Sequence, residues 1–327
     1  MTRLGSIANA LLRTTAAAGL MAVASLAFGQ GAWTAGEVVP GNAGDAVCAK
    51  CHKEYTETYT QSVHSRKGAK GTPAATGAGC TSCHKGNVQE HIKSASNGKG
   101  PGPMQGFSNP KRPAAEKSAV CLTCHETSRQ LTFWDSGKHK SNDVTCSNCH
   151  SIHGKAKDPS VAPYANTVKP LQYETCVTCH KSTRAQINKP SHHPIIEGKV
   201  KCSDCHNPHG ALSPAMIKSE TVNSLCYSCH AEKRGPYAFE HPPVEQNCAS
   251  CHQPHGSTHY KLLNEKVPNL CQDCHDWSKH PGTIYSGSQG WSPGANNTRL
   301  ISRSCLNCHN AIHGSNAPAN RGLFFIR

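Results

Sequence analysis

Two cysteines separated by two residues and followed at once by a histidine place two thiols and an imidazole on one short turn. Thiols at that spacing match the two vinyl groups of a haem and form thioethers with them. The histidine then reaches the iron from the same side. The chain holds this C-x-x-C-H pentad ten times. The first five copies are Cys48, Cys51 and His52; Cys80, Cys83 and His84; Cys121, Cys124 and His125; Cys146, Cys149 and His150; and Cys176, Cys179 and His180. The other five are Cys202, Cys205 and His206; Cys226, Cys229 and His230; Cys248, Cys251 and His252; Cys271, Cys274 and His275; and Cys305, Cys308 and His309. Together they use all 20 cysteines. Zinc sites and redox dithiols also use C-x-x-C, but neither calls for a histidine directly after the second cysteine in every copy. The residues inside the motif vary freely, from Ala-Lys to Gln-Asp, as expected where Cys and His alone carry the chemistry. The expected cofactor is haem c with its iron, ten copies covalently attached.

A haem iron has a second face to close. Of 22 histidines, ten are the proximal ligands and twelve remain. The chain reads as five two-motif repeats, the kind of periodicity that defines an architecture. Each repeat is a pentad, a spacer holding a histidine, a second pentad, and a close-following histidine. The expected distal ligands are therefore His64 and His91, His139 and His153, His193 and His209, His241 and His255, and His280 and His313. His193, His241 and His280 are each followed by proline, which selects His193 over His192. His259 has no counterpart in the other repeats, so His192 and His259 are the two spares. Two histidine backbones on opposite faces of one iron sit about 12 Å apart, and three residues of chain reach roughly 11 Å at most. His153, His209 and His255 lie three residues beyond the histidines of their own pentads, and His313, four beyond, is a marginal case. They must serve other haems, most simply the first haem of their own repeat, with the spacer histidine serving the second. Each repeat would then be one cross-ligated unit.

The elements that hold these sites must be unusual. Hydrophobic residues make up 36% and aromatics 6% of 327 residues, too few to build the side-chain core a chain of this length usually buries. The haems must form the core, with ligand and thioether bonds standing in for burial, so the chain should not fold without them. The 28 glycines and 21 prolines argue against long regular elements. The expected fold is an elongated multihaem cytochrome, mostly irregular with short α-helices, for example around Lys111–Leu131, and little or no β-structure. The formal charge of +14 becomes +12 without Arg3 and Arg13. Twenty propionates and ten ferric centres would bring it to about +2 oxidised and about −8 reduced. The basic composition therefore does not indicate nucleic acid.

Arg3 and Arg13, a small apolar stretch over residues 14–28, and Ser25-Leu26-Ala27 have the form of a signal peptide over residues 1–27, cleaved after Ala27, with Gly29 as second choice. The apolar run is too short to span a bilayer. The first cysteine is Cys48, so no lipid-anchor cysteine follows the signal, and the mature chain is expected to be soluble in the periplasm. Export normally turns an even cysteine count into disulfides, but the pentad spacing rejects that reading here.

Histidine on both faces keeps an iron six-coordinate and suits electron transfer rather than substrate binding. No catalytic residue is expected, and no C-x-x-C-K, the mark of nitrite-reducing cytochromes, occurs. Ten pentads in 327 residues, a cleavable signal, no lipid anchor and the recurring C-x-x-C-H-x-x-H-G resemble the Mtr/Dms-type periplasmic decahaem cytochromes. The resemblance covers nearly the whole mature chain. The cysteine pairs and proximal histidines match directly. The distal histidines match through His-Gly and His-Pro, except His91, seven residues after His84 with no glycine. The resemblance implies two fused pentahaem units, residues 28–200 and 201–327, with a junction between His180 and Cys202. It also implies insertion into an outer-membrane β-barrel porin as an insulated conduit. The partners would be periplasmic cytochromes or quinol-linked donors on one side and an outer-surface cytochrome or metal oxide on the other. A soluble shuttle feeding a terminal reductase and an enzyme with one open haem are the alternative readings, and the direction of electron flow stays open. The apolar tail over residues 322–327 could dock a partner or pack on the last haem.

Overall fold

The computed structural model describes residues 43–100, 102–153, 172–275 and 305–326. Residues 1–27, expected to be a signal peptide, and His280 lie outside the described residues. The first pentad of each repeat sits at the end of a helix. These helices are Ala43–Ala49, Ala114–His125, Gln172–Val177, Val222–Tyr227 and Asn269–Gln272. The second pentad of each repeat lies on a single turn: Gly79–Ser82, Cys146–Cys149, Cys202–Cys205, Cys248–Ser250 and Cys305–Asn307. Either way the histidine N–H returns to the carbonyl of the first cysteine, as in His52 to Cys48 (2.8 Å) and His150 to Cys146 (2.8 Å). That bond puts both thiols and the imidazole on one turn, as attachment to one porphyrin requires.

The longest described helix, Ala114–His125, starts after Pro113 and is followed by a short turn over Arg129–Leu131. Both fall within the span expected from the sequence. Proline positions other helix starts too: Pro242 opens Pro242–Gln246 directly after His241, because its fixed φ suits the first helical residue. Among the described residues there is no sheet, only four isolated antiparallel bridges, Ser191 with Ser257, His206 with Ile217, Phe239 with Ser315, and His252 with Leu263. This is the mostly irregular, short-helix fold of a multihaem cytochrome. No helix among the described residues is long and apolar enough to cross a membrane.

Few side chains hold the interior together. Among the described residues the buried hydrophobic ones are Tyr59, Ala74, Trp134, Val177, Ile187 and Ile195, and of these Ile187 alone is wholly enclosed. Val177, Ile187 and Ile195 form a small cluster with Tyr173, Ile196 and Val200. Six such residues cannot offset the entropy of ordering a chain of this length. Residues 40–327 nevertheless form one compact unit. Hydrogen bonds stitch it across residue 200, where Gln172 Nε2 donates to Ser203 Oγ (2.9 Å) and Gln172 Oε1 accepts from the Ser203 N–H (2.9 Å).

Candidate haem sites

Nine histidine pairs face each other across the described residues. Their ring centroids stand 6.1 Å apart for His52 and His91, 6.0 Å for His64 and His125, 6.0 Å for His84 and His153, and 6.1 Å for His139 and His180. The same distance is 6.0 Å for His150 and His209, 6.3 Å for His193 and His230, and 5.9 Å for His206 and His255. It is 6.1 Å for His241 and His275 and 6.2 Å for His252 and His313. A metal–imidazole bond is about 2 Å long, so two rings on opposite sides of one iron put their centroids roughly 6 Å apart. Every pair joins one pentad histidine to one of the other histidines singled out in the sequence. His309 of the tenth pentad is described, and its remaining counterpart His280 is not.

The pairing differs from the expected one. Apart from His91, which faces His52 of its own repeat, each close-following histidine faces the second pentad of the preceding repeat. His153 meets His84, His209 meets His150, His255 meets His206, and His313 meets His252. The described spacer histidines reach forward to the first pentad of the next repeat, His64 to His125, His139 to His180, His193 to His230 and His241 to His275. A repeat is therefore not a closed two-site unit. His153, His209 and His255 face away from their own pentads, as the reach of three residues requires, but the nearest pentad in sequence is not the nearest in space.

The backbone contacts explain why. His139 Nδ1 donates to the Pro208 carbonyl (2.7 Å) and His193 Nδ1 to that of Pro254 (2.6 Å), so these two spacer histidines are held by the loop carrying the next repeat's close-following histidine. The bridges reinforce this. Ser191, two residues before His193, pairs with Ser257, two residues after His255, and Phe239 before His241 pairs with Ser315 after His313. The pentad histidines of two second motifs are oriented in a similar way. His206 Nδ1 donates to Ala215 O and His252 Nδ1 to Lys261 O, both at 2.9 Å. In each case the carbonyl belongs to a left-handed non-glycine residue, with φ of 53° at Ala215 and 57° at Lys261, a conformation kept where the surroundings demand it. A ring that donates through Nδ1 keeps Nε2 as the lone-pair nitrogen, which is how a metal-binding imidazole is fixed. Burial also holds His64, His84, His150, His209, His241, His255 and His313 below the ordinary imidazole range, so these rings are neutral, as ligation requires.

The glycine of His-Gly has a structural reason. Gly210, Gly256 and Gly314 have φ of 119°, 154° and 139°. A Cβ at these positions would collide with the Phe133 carbonyl, the Gln186 carbonyl and the Tyr237 ring, each contributed by the preceding repeat. Glycine thus lets each loop close under its neighbour. Gly256→Ala is expected to cost about 2–4 kcal/mol and to lower Tm by about 5–15 °C. An unchanged melting curve would remove this role from the glycine.

The sequence reading missed a recurring polar support. Asp45, Ser118 and Asn223 lie three residues before the first cysteine of their repeats and are all buried. Asp45 Oδ1 accepts from the Cys80 N–H (2.8 Å), and Asn223 Oδ1 from the Cys248 N–H (2.7 Å). Ser118 is hydrogen-bonded to the Cys146 thiol. In the third repeat Gln172, four residues before Cys176, takes the role through Ser203. The signal was a polar residue at a fixed offset, visible only once the two pentads are known to touch.

They touch in a regular order. The first cysteines of each repeat are in contact as thiols: Cys48 with Cys80, Cys121 with Cys146, Cys176 with Cys202, Cys226 with Cys248, and Cys271 with Cys305. Between repeats the second cysteines are neighbours. Burial raises the thiols of Cys83, Cys149, Cys205 and Cys251, and the nearby Cys124, Cys179, Cys229 and Cys274 add to it. The pentads therefore follow one another in space as in sequence.

The residues present fit a covalently held porphyrin. All 20 cysteines are outside disulfides. Buried donors without a protein partner lie beside the ring pairs: Trp134 Nε1, edge-on to His209, and two nitrogens of Arg112. His192 is committed elsewhere, to the Lys189 carbonyl (2.5 Å) and Glu197 (3.0 Å), and among the described residues His259 faces no other histidine ring. The tail packs inward, with Phe325 5.3 Å from the His241 ring and the Phe324 carbonyl accepting from His309 Nδ1 (2.6 Å), while Leu323 and Phe324 stay half exposed.

Thiol pairs outside disulfides on single turns, each completed by a histidine, define a multihaem c-type cytochrome, an electron-transport protein with covalently bound haem c. Comparison with known proteins agrees. Residues 192–235 and 241–280 match the doubled CXXCH motif, and residues 80–168 match the cytochrome c-type protein NrfB-like family. The multiheme cytochrome MtrA of Shewanella baltica is 38% identical over 280 residues, covering 84% of this chain and 80% of the relative. The C-type polyheme cytochromes OmcB and OmcC of Geobacter sulfurreducens are 26% and 22% identical over 57% and 71% of this chain, which spans 25% and 37% of their lengths. The chain belongs to the MtrA family of multihaem cytochromes.

Proposed function

We propose that the protein carries ten haems, each closed by two histidines, and conducts electrons through an outer-membrane β-barrel porin. The donors would be periplasmic cytochromes or quinol-linked proteins, and the far partner an outer-surface cytochrome or metal oxide. The observation that carries this reading is the set of nine histidine ring pairs at iron-bridging distance. The tenth, His309 with His280, follows by remainder. Bound haem supplies a one-electron couple at each pentad. The chain's own part is to hold the pentads in sequence order, to occupy both faces of each site with imidazole, and to leave no coordination position for a substrate. For that reason no catalytic residue is assigned. The halves 28–200 and 201–327 would act as one conductor. Likeness to MtrA supports the outer-membrane setting and a location facing the periplasm.

Three measurements test the reading. A pyridine haemochrome assay is expected to return ten haems per chain. Carbon monoxide added to the reduced protein is expected to leave the Soret band in place, and a stoichiometric shift would show an open iron and overturn the all-histidine assignment. Mild detergent extraction of outer membranes should yield the protein bound to a β-barrel. Recovery wholly in the soluble periplasmic fraction would favour the free shuttle instead.

A further inference from the structure

Arg112 poses a problem that the protein alone does not solve. Its side chain is only 9% exposed. Nη2 donates to the Glu116 backbone carbonyl at 3.3 Å. Nε lies 3.8 Å from Glu116 Oε2, beyond hydrogen-bond range, and that carboxylate is 61% exposed. Nε and Nη1 are buried without a partner. A guanidinium is always charged and has donors only. Burying it half-satisfied is far costlier than a loose contact with an exposed carboxylate can repay. An anion must therefore stand beside it.

The surroundings say which anion. The Arg112 guanidinium lies 5.5 Å from the centroid of Phe107. Phe107 meets the His84 ring edge-on at 5.6 Å, and His84 faces His153 across the site of the second pentad. The cation is thus one aromatic ring away from a site that, on the reading above, receives a molecule with two carboxylates of its own. We propose that Arg112 binds a propionate of the haem held by Cys80, Cys83 and His84. Its charge then offsets the propionate and holds that haem at a higher potential than an unpaired propionate would.

The test is a spectroelectrochemical titration of the full haem-loaded protein and three variants. Arg112→Gln should move one of the ten one-electron steps downward by about tenfold in its equilibrium, about 59 mV, and leave the rest in place. Arg112→Lys keeps the charge and should move that step by less than half as much. Glu116→Gln removes only an exposed carboxylate and should leave all steps and Tm unchanged, an arm that reads out even if Arg112→Gln fails to mature. The proposal is overturned if no step moves in Arg112→Gln with all haems retained. Equal shifts for Lys and Gln would overturn it too, as would a Glu116→Gln variant that melts markedly earlier than the parent, since Glu116 would then be the true counter-ion. A haem count below ten in the unaltered protein would instead strike the underlying reading of the sites.

Discussion

Replacing His209 by alanine is expected to open the site of the fourth pentad, His150, and not that of the sixth, although His206 is only three residues away. The His209 ring stands 6.0 Å from His150 and its loop is pinned by Gly210 beneath the Phe133 carbonyl, while three residues of chain cannot pass around a porphyrin to the other face. The reduced variant should bind one carbon monoxide per chain, where the parent binds none. The address of that open iron can be read directly. Combining His209→Ala with Cys146→Ala and Cys149→Ala should abolish the carbon monoxide signal, and combining it with Cys202→Ala and Cys205→Ala should leave it intact. The reverse pattern would mean that ligation runs within each repeat, as chain proximity alone suggests.

The second large effect concerns the cofactor as a structural element. A chain produced without haem attachment, lacking residues 1–27 and kept in a reducing compartment, is expected to show no cooperative thermal transition. Its far-UV circular dichroism should be that of a coil. The whole of a domain's usual stability, about 5–15 kcal/mol, would be lost. Described helices of four to twelve residues are too short to persist alone in water. Among the described residues the one hydrophobic cluster, Val177, Ile187 and Ile195, joins only neighbouring parts of the third repeat. A sharp melting transition in the haem-free chain would show that side-chain packing contributes far more than these contacts imply.

Much of this was legible because the pentad is a local device. Two thiols and an imidazole on one turn need only five consecutive residues, so their number and positions can be read directly. The helix over Ala114–His125 was legible for a similar reason, since glycine and proline mark where regular structure must stop. The short list of distal histidines followed from the repeat register, which also set aside His192 and His259. Their pairing was not legible. It depends on which turn lies above which, and that is decided by Gly210, Gly256 and Gly314 fitting under the chain of the preceding repeat. Asp45, Ser118 and Asn223 escaped notice because a single polar residue on a short helix carries no mark of what it will touch. Arg112 escaped for a further reason: its significance lies in what it fails to bond.

The alternating direction of the histidine pairs has a consequence for how the protein is made. A chain synthesised from its N-terminus presents the first pentads before the later ones. The odd-numbered sites at His125, His180, His230 and His275 find their facing histidines already delivered, in His64, His139, His193 and His241. The even-numbered sites at His84, His150, His206 and His252 must wait for His153, His209, His255 and His313, which arrive with the next repeat. Assembly thus advances with one unfinished site always at the growing end. On the proposed ligation, a product that stopped early would leave its last even site with a histidine on one face alone.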